Sequence, residues 1–251
     1  MDGAVPHAPV GGLRLYWYPL VGAGSRPSNN AHRPMADLVL IDDHPLMRKG
    51  LVRTIETEVD LNVVGQMSSA EEALEEVEEL APDLAVVDIS LPGMSGMELI
   101  KHLQSRMPEV KILVVSRHDE TLYAERCIRA GAKGYLMKQE AGDVIVKALR
   151  KVLDDRIFVS EEINERLLQS MAEGGRERIM QSPLEVLSDR ELEVFELTGK
   201  GGSTREIAER LHLSVKTVES YRARIKDKLN LDSGNELMKH AVQWVEGESS
   251  S

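Results

Sequence analysis

The sequence predicts an α/β protein: a five-stranded, doubly wound parallel sheet followed by a small all-α domain. Two observations predict this architecture. Between residues 37 and 155, five short apolar runs without polar alternation are separated by segments of helical period, which is typical of a parallel sheet covered on both faces. Between residues 184 and 246, serine-initiated caps open several helical segments.

The overall amino-acid composition limits the classes to which the protein can belong. The 251 residues include 42% hydrophobic and 29% charged residues, which is ordinary for a globular protein. No apolar run reaches about 18 residues, so no membrane span is predicted and a cytoplasmic location is expected. The single cysteine, Cys127, excludes an internal disulfide. The net charge of −11 means that any DNA contact must come from a local basic stripe.

The first 35 residues are predicted to be a disordered extension. They hold five of the ten prolines and follow no helical or alternating period. The apolar stretch 13–21 is interrupted by Arg14 and Pro19 and lacks a preceding basic segment, which argues against a signal peptide. The first compact element starts directly after Met35, and we therefore expect Met35 to be the natural start.

The strand–helix units follow one another in a regular order. Strands are predicted at 38–41, 61–65, 84–87, 110–115 and 133–137. Helices are predicted at 45–58, 70–81, 96–107, 120–130 and 142–153. Ser69 is the expected N-cap of the second helix, in a capping box with Glu72. The acidic run 71–79 has apolar residues at helical spacing, so a solvated helix face is favoured over a metal site.

Polar side chains end four of the predicted strands. They are Asp42 and Asp43 after the first strand, Asp88 after the third, Ser116 at the fourth and Lys138 at the fifth. Each of them alone is typical of a cap, a turn or a solvated charge. The carboxyl ends of parallel strands share one edge of a sheet, where ligands bind, so we expect these side chains to converge.

The converging groups predict phosphoryl chemistry. Clustered carboxylates repel one another unless a cation is present, and oxygen ligands suit Mg²⁺. The cation neutralises phosphoryl oxygens, which allows Asp88 to act as a nucleophile. Lys138 supplies a counter-charge for the product, and the Ser116 hydroxyl can donate a hydrogen bond to it.

Residues 36–155 resemble the receiver domain of two-component response regulators, a flavodoxin-like fold. The matching residues are Asp42-Asp43, Asp88, the loop 91–96, Ser116 and the run Gly134–Lys138. The resemblance implies that Asp88 takes a phosphoryl group from a sensor histidine kinase. It also implies that Mg²⁺ is bound by Asp43, Asp88 and the backbone carbonyl of Ser90, with Asp42 acting partly through water.

The resemblance further implies a switch pair, Ser116 and Tyr135. The hydroxyl moves toward the phosphoryl group, and the aromatic ring turns inward behind it. Two residues depart from the usual receiver pattern. Arg117 stands where the family has a small residue, which alters access to the phosphoryl group. Gln139 stands where many receivers have proline, so no cis peptide bond is expected there.

The sequence leaves two alternative functions. One is a DNA-binding regulator that works without phosphorylation and uses the receiver as a protein-interaction module; the complete acidic set and Lys138 argue against it. The other is a Mg²⁺-dependent phosphohydrolase with Asp88 as its nucleophile. That class usually has a second carboxylate two residues later, where this chain has Ser90. We therefore expect no enzyme activity beyond self-phosphorylation and dephosphorylation.

Residues 156–183 are predicted to be a linker. Ser160, followed by two glutamates, is typical of a helix start. Ile163, Leu167 and Leu168 are expected to pack back on the receiver, and a flexible tether follows from residue 173. Residues 247–251 are predicted to be a disordered tail.

Residues 184–246 predict four short helices. Capping boxes at Ser188 and Ser203 open the first two helices, Ser214 caps the third, and the fourth spans 235–245. The second and third helices, joined by a tight turn, form a helix-turn-helix, whose second helix enters the DNA major groove. Residues 214–228 carry five basic and two acidic side chains, which is the local basic stripe that DNA binding requires.

The outward side chains of the third helix are the candidate DNA contacts. They are Lys216, Thr217, Glu219, Ser220, Arg222, Arg224 and Lys226. Glu219 is equally interpretable as a surface residue paired with Arg222. The domain resembles the LuxR-type helix-turn-helix. The resemblance rests on Glu191, Gly199, Glu206–Ala208, Leu213-Ser214, Lys216–Glu219, Tyr221, Ile225 and Lys228-Leu229.

The two domains together resemble response regulators of the NarL/FixJ family. The last helix of that family commonly pairs two DNA-binding domains, which makes Leu237, Ala241 and Trp244 candidate dimerisation residues; packing within the domain is the alternative. The resemblance implies that the unphosphorylated receiver masks the recognition helix or keeps the chain monomeric. Phosphorylation would then favour homodimers that bind two half-sites about one helical turn apart.

Overall fold

A computed structural model describes residues 35–172 and 186–248. The predictions for residues 1–34, for most of the tether and for the last three residues lie outside the described residues. Five strands are present: β1 (Ala36–Ile41), β2 (Leu61–Met67), β3 (Leu84–Val87), β4 (Lys111–Ser116) and β5 (Gly134–Met137). They form one parallel sheet in the order β2-β1-β3-β4-β5, which confirms the predicted fold class.

The strand register brings the strand ends together. Ile41 pairs with Val87 in the β1–β3 ladder. The residues that follow them, Asp42 and Asp88, therefore lie side by side. Ser116 pairs with Met137 in the β4–β5 ladder, which places Lys138 beside the end of β4. The apolar strand residues before these positions are buried, so these polar groups lie at the edge of an apolar core.

Five helices cover the two faces of the sheet. They are α1 (Pro45–Ile55), α2 (Ala70–Leu80), α3 (Gly96–Arg106), α4 (Glu120–Ala130) and α5 (Ala141–Leu153). One core cluster forms beneath α1 and α5, and a larger one beneath α2, α3 and α4. Ser69 caps α2 as predicted, but the Glu72 carboxylate bonds to Ser68 instead of completing the capping box.

Helix α6 (Glu161–Ala172) occupies the first part of the predicted linker. It begins directly after Ser160, whose hydroxyl accepts a hydrogen bond from the Ile163 amide at 3.3 Å. Ile163 is buried and Leu167 packs against the core. Leu168 is 59% exposed, so its predicted packing on the receiver is wrong. Among the described residues, no helix combines the length and apolarity that crossing a bilayer requires.

Four further helices form the C-terminal domain. They are α7 (Asp189–Gly199), α8 (Thr204–Arg210), α9 (Val215–Leu229) and α10 (Gly234–Glu248). Ser188 and Ser203 form complete capping boxes, and Ser214 caps α9. The α10 helix runs two residues into the predicted tail. All residues from Arg190 to Thr198 are buried, because α7 packs on both the C-terminal domain and the α/β domain.

Gly96 provides a test of the loop that follows Asp88. A Cβ atom at Gly96 would lie 2.1 Å from the Asp88 carbonyl oxygen and 2.6 Å from the Ile89 Cα. We expect Gly96→Ala to lower the free energy of unfolding by about 1–3 kcal/mol, since backbone must shift to admit the methyl group. Urea unfolding measures this change. The control is Gly50→Ala in α1, where nothing lies within 4 Å and a gain of about 0.5–1 kcal/mol is expected. Unfolding of Gly96→Ala at wild-type urea concentrations would contradict the prediction.

Candidate functional site

A lysine bridges two buried carboxylates at the carboxyl edge of the sheet. The Lys138 Nζ lies 2.7 Å from the Asp42 Oδ2 and 2.7 Å from the Asp88 Oδ2. Asp42 is 4% and Asp88 1% exposed, and Ser116 is fully buried. The structure therefore brings together the strand-end residues that the sequence singled out.

Asp43 and His44 extend this site into an acidic cluster. One ligand atom from each of Asp42, Asp43, His44 and Asp88 lies within 4.8 Å of the others. The His44 Nδ1 is 2.5 Å from the Asp43 Oδ1. Because three clustered carboxylates offer the oxygen ligands that a hard cation prefers, the donor set fits a metal ion. Sequence reasoning missed His44, whose only signal is its position after Asp43.

Hydrogen bonds connect Asp88 to Ser90, and Ser90 and Tyr135 to His118, which follows β4. The Ser90 amide donates to the Asp88 Oδ1 at 3.0 Å, and the Ser90 Oγ lies 2.8 Å from the His118 Nε2. The phenol of Tyr135 donates to the His118 carbonyl at 2.9 Å. The Tyr135 ring is 1% exposed, and this burial raises the pKa of its phenol well above its usual value. The ring is thus buried in this structure, and its role as part of a switch stays a prediction.

Two residues, Arg117 and Gln139, depart from the usual receiver pattern. Arg117 is exposed. The described residues contain no cis peptide bond, so the expectation drawn from Gln139 is confirmed.

Helix α7 docks the C-terminal domain onto the α/β domain through its polar face. Arg190 donates to the carbonyl oxygens of Leu91 and Gly93, at 3.0 and 2.8 Å, in the loop that follows Asp88. Lys101 and Arg126, on α3 and α4, form ion pairs with Asp189 at 3.1 and 3.3 Å. These polar contacts involve the loop after β3 and helices α3 and α4, and buried apolar residues of both domains also belong to one core cluster.

Glu196 is the centre of this docking surface. Its Oε2 lies 3.0 Å from the His118 Nδ1 and accepts a hydrogen bond from the Tyr123 phenol at 3.1 Å. Lys200 forms an ion pair with the other oxygen. Burial opposes ionisation, but the bonds to His118 and the charge of Lys200 outweigh it and lower the pKa of Glu196 to about 2. One turn earlier, burial raises the pKa of Glu193 even though Arg190 contacts it.

The turn between α8 and α9 also approaches the acidic cluster. The His212 Nε2 is 4.0 Å from the Asp43 Oδ2. Together with the Arg190 contacts to Leu91 and Gly93, this approach places the C-terminal domain over the edge of the sheet where Asp88 lies. Sequence reasoning missed His118, Glu196 and His212, because a lone histidine or helix-surface glutamate is ordinarily solvated.

The candidate DNA-contact residues on α9 differ in exposure. Lys216, Glu219, Ser220 and Arg224 are exposed, whereas Thr217, Arg222 and Lys226 are half-buried. Arg222 donates to the Thr204 hydroxyl at 2.8 Å, so it turns toward α8 instead of outward as predicted, and burial lowers its pKa. These exposed side chains are accessible to solvent in the docked arrangement, and masking of the recognition helix by the receiver stays a prediction.

The candidate dimerisation residues lie mostly inside the C-terminal domain. Leu237 is 1% and Ala241 0% exposed, and the half-buried Trp244 ring lies 5.6 Å from the Phe195 ring. A Cβ at Gly199 would lie 2.3 Å from the Ala241 carbonyl oxygen, which shows how closely α10 packs on α7. Packing within the domain, the alternative interpretation, accounts for the buried pair, since two buried side chains cannot form a surface for a second copy in this conformation.

Family models match both domains. The response regulator receiver domain matches residues 38–150, and the luxR family of bacterial regulatory proteins matches residues 185–241. The chain belongs to the response regulators with a LuxR-type DNA-binding domain. It is 32% identical to the transcriptional regulatory protein DegU of Brevibacillus brevis over 222 residues, which cover 83% of this chain and 94% of DegU. It is 34% identical to the response regulator UvrY of Escherichia coli K12 over 209 residues, covering 83% and 94%.

A solved structure of the same architecture supports this assignment. RcsB from Salmonella enterica serovar Typhimurium, bound to the promoter rprA in the presence of phosphomimetic BeF₃⁻, matches with a TM-score of 0.56 and 26% identity, over 83% of this chain and 98% of RcsB. The predicted family, fold and general function are confirmed: this response regulator joins a receiver to a DNA-binding domain, and its relatives are transcription regulators.

Glu196 gives the docking surface a defined pH dependence. Its pKa in the folded chain, about 2, lies below the ordinary 4.5, so its stabilisation is complete above pH 4.5 and is lost as the pH falls toward 2. We expect wild type to exceed Glu196→Gln in free energy of unfolding by about 1–3 kcal/mol at pH 5, and this gap to close by pH 2. Urea unfolding at a series of pH values measures the gap. Glu209→Gln, at an exposed site on α8, is the control, and a pH-independent gap for Glu196→Gln would refute the prediction.

Proposed function

We propose that Asp88 accepts a phosphoryl group from a sensor histidine kinase and that this modification controls promoter binding by the C-terminal domain. The observation that supports the proposal best is the Lys138 ammonium, which contacts both Asp42 and Asp88 at 2.7 Å in a buried pocket. A lysine held between two carboxylates is already in place to pair with the oxygens of an incoming phosphoryl group.

The acidic cluster is the proposed Mg²⁺ site. Its ligands would be Asp43, Asp88 and the backbone carbonyl of Ser90, with Asp42 acting partly through water. The cation supplies charge neutralisation for the phosphoryl oxygens. Asp88 provides the nucleophilic oxygen: its Oδ1 is oriented by the Ser90 amide and its Oδ2 by Lys138, which fixes the carboxylate before the reaction.

Ser116 and Tyr135 are the proposed switch pair. The Ser116 Oγ accepts a weak hydrogen bond from the His118 amide at 3.3 Å, and the Tyr135 phenol holds the carbonyl of the same residue. A shift of the Ser116 hydroxyl toward a phosphoryl group would therefore disturb His118 from both sides. This segment is also where the C-terminal domain docks, so the switch acts directly on the domain interface.

DNA binding is assigned to α9. We propose that Lys216, Glu219, Ser220 and Arg224 reach bases and phosphates in the major groove, with Thr217 and Lys226 at the edge of the contact. Arg222 would contribute only after leaving Thr204. The phosphorylated protein would bind as a homodimer that places two copies of α9 in successive turns of the groove.

The phosphoacceptor has a direct chemical test. With acetyl phosphate and Mg²⁺, we expect intact-protein mass spectrometry to show one added phosphoryl group on wild type and none on Asp88→Asn, because the amide is not a nucleophile. Chelation of Mg²⁺ with EDTA should reduce labelling at least tenfold. The control is Asp155→Asn, at an exposed site with positive φ that asparagine tolerates, and it should label like wild type. Equal labelling of Asp88→Asn would refute the assignment.

The basic stripe is tested through the salt dependence of DNA binding. We expect Lys216→Ala to weaken binding to promoter DNA and to lower the magnitude of the slope of log K against log salt concentration by about 1, as for the loss of one phosphate contact. Fluorescence anisotropy over a range of salt concentrations gives the slope. Lys147→Ala removes the same charge from the exposed face of α5 and should leave the slope unchanged. If both variants behave alike, Lys216 does not contact DNA.

A further inference from the structure

The imidazole ring of His44 lies inside the acidic cluster at the carboxyl edge of the sheet. Its Nδ1 is 2.5 Å from the Asp43 Oδ1 and 3.3 Å from the Asp42 Oδ1. One donor atom from each of Asp42, Asp43, His44 and Asp88 lies within 4.8 Å of the others. Ligands on opposite sides of a small divalent ion are about 4–4.4 Å apart, so slight rotations of these side chains bring all four donors into contact with one ion.

The backbone holds His44 in this position. The His44 amide donates to the Asp42 Oδ1 at 2.8 Å. Pro45 follows as the first residue of α1 and favours the extended conformation that His44 has, with φ −90° and ψ 102°. The His44 side chain is 37% exposed, whereas Asp42 and Asp88 are buried. A nitrogen donor therefore lies, already positioned, on the open side of the carboxylate cluster.

The formal charge of the cluster matches a divalent cation. Its three carboxylates carry a formal charge of −3, and the Lys138 ammonium, 2.7 Å from two of them, carries +1. This leaves −2 for a cation to balance. A metal-bound imidazole is neutral, so His44 adds a ligand without altering the charge. Its contribution is therefore to the kind of cation that the site prefers.

Nitrogen and oxygen donors favour different metal ions. Mg²⁺ prefers oxygen ligands in octahedral geometry and keeps several of its waters. Imidazole nitrogen suits Zn²⁺ and similar borderline ions. An imidazole that takes the place of one water thus raises the affinity of the site for Zn²⁺ and leaves its affinity for Mg²⁺ nearly unchanged.

We propose that His44 is a metal ligand and that, together with the clustered carboxylates, it gives the receiver a binding site for Zn²⁺ or a similar borderline ion. This inference rests on the cation site of the proposed function and adds to it a ligand and a second class of cation. Zn²⁺ and Mg²⁺ compete for the same oxygens of Asp43 and Asp88, so bound Zn²⁺ excludes Mg²⁺ from the phosphoacceptor.

Isothermal titration calorimetry of the full-length, unphosphorylated protein tests the proposal, with Zn²⁺ and Mg²⁺ in separate titrations. We expect His44→Ala to lower the affinity for Zn²⁺ at least about tenfold, since changes even to residues behind a metal ligand cost about 10- to 100-fold. The affinity for Mg²⁺ should stay within about twofold of wild type. An unchanged Zn²⁺ affinity would overturn the proposal. An equal loss for both ions would also overturn it, because that result indicates a purely structural role for the side chain.

Two other histidines provide matched controls for incidental Zn²⁺ binding. His102 is exposed on α3. The His212 Nε2 is 4.0 Å from the Asp43 Oδ2, and asparagine tolerates the positive φ of 54° at this position. We expect His102→Ala and His212→Asn to bind Zn²⁺ like wild type. A loss in either control as large as that of His44→Ala would overturn the assignment of the ligand.

Nuclear magnetic resonance identifies the ligand atom in the wild-type protein. Nitrogen-15 correlation spectra recorded with one equivalent of Zn²⁺ should show a large shift of the His44 Nδ1 and none at the ring of His102. An unshifted His44 ring would refute the proposal. Failure of wild type to label with acetyl phosphate and Mg²⁺ would instead refute Asp88 as acceptor, since the calorimetry and the spectra report on the unlabelled protein.

Discussion

The contact of one lysine with two buried carboxylates is the constraint on which the receiver depends. Lys138 lies 2.7 Å from both Asp42 and Asp88, and removing one member of a buried ion pair typically costs about 3–5 kcal/mol, because the remaining charge has no partner. A parallel sheet brings these groups together, since its strand ends share one edge. Any new charge at Asp88 must therefore be balanced by rearranging the same few side chains, so a small chemical change there has structural effects.

The interface between the domains has the character of a reversible contact. Helix α7 buries the charged residues Arg190, Glu193 and Glu196, and the Glu193 Oε1 has no hydrogen-bond partner in the described structure. Burying an incompletely satisfied carboxylate costs free energy, so this docking stabilises the assembled form less than an apolar surface of equal area would. Interfaces that include buried polar groups are typical of domains of one chain that move relative to each other.

The sequence predicts the receiver well because its signals are local or follow from topology. Apolar runs mark the strands, serine caps mark the starts of α7, α8 and α9, and a parallel sheet brings the strand-end residues to one edge. The polar stripe of α7 is different, since its spacing is also that of an ordinary solvated helix face. Glu196 acquires its partners only through docking, which no local pattern encodes. Likewise, the apolar spacing of Leu237 and Ala241 fits both a core and a dimer surface, and only the packing of α10 on α7 distinguishes the two.

The exposed ion pairs of the docking surface have a consequence for ionic conditions. Lys101 is 57% exposed where it meets Asp189, so dissolved ions screen this attraction, as they screen any charge pair open to water. The same ions compete with α9 for DNA phosphates. Raising the salt concentration therefore weakens both the contact between the domains and the contact of α9 with DNA. The response of the whole chain to ionic strength thus combines an intramolecular and an intermolecular equilibrium. A dilute buffer holds the domains together most firmly under the conditions in which α9 is attracted most strongly to DNA.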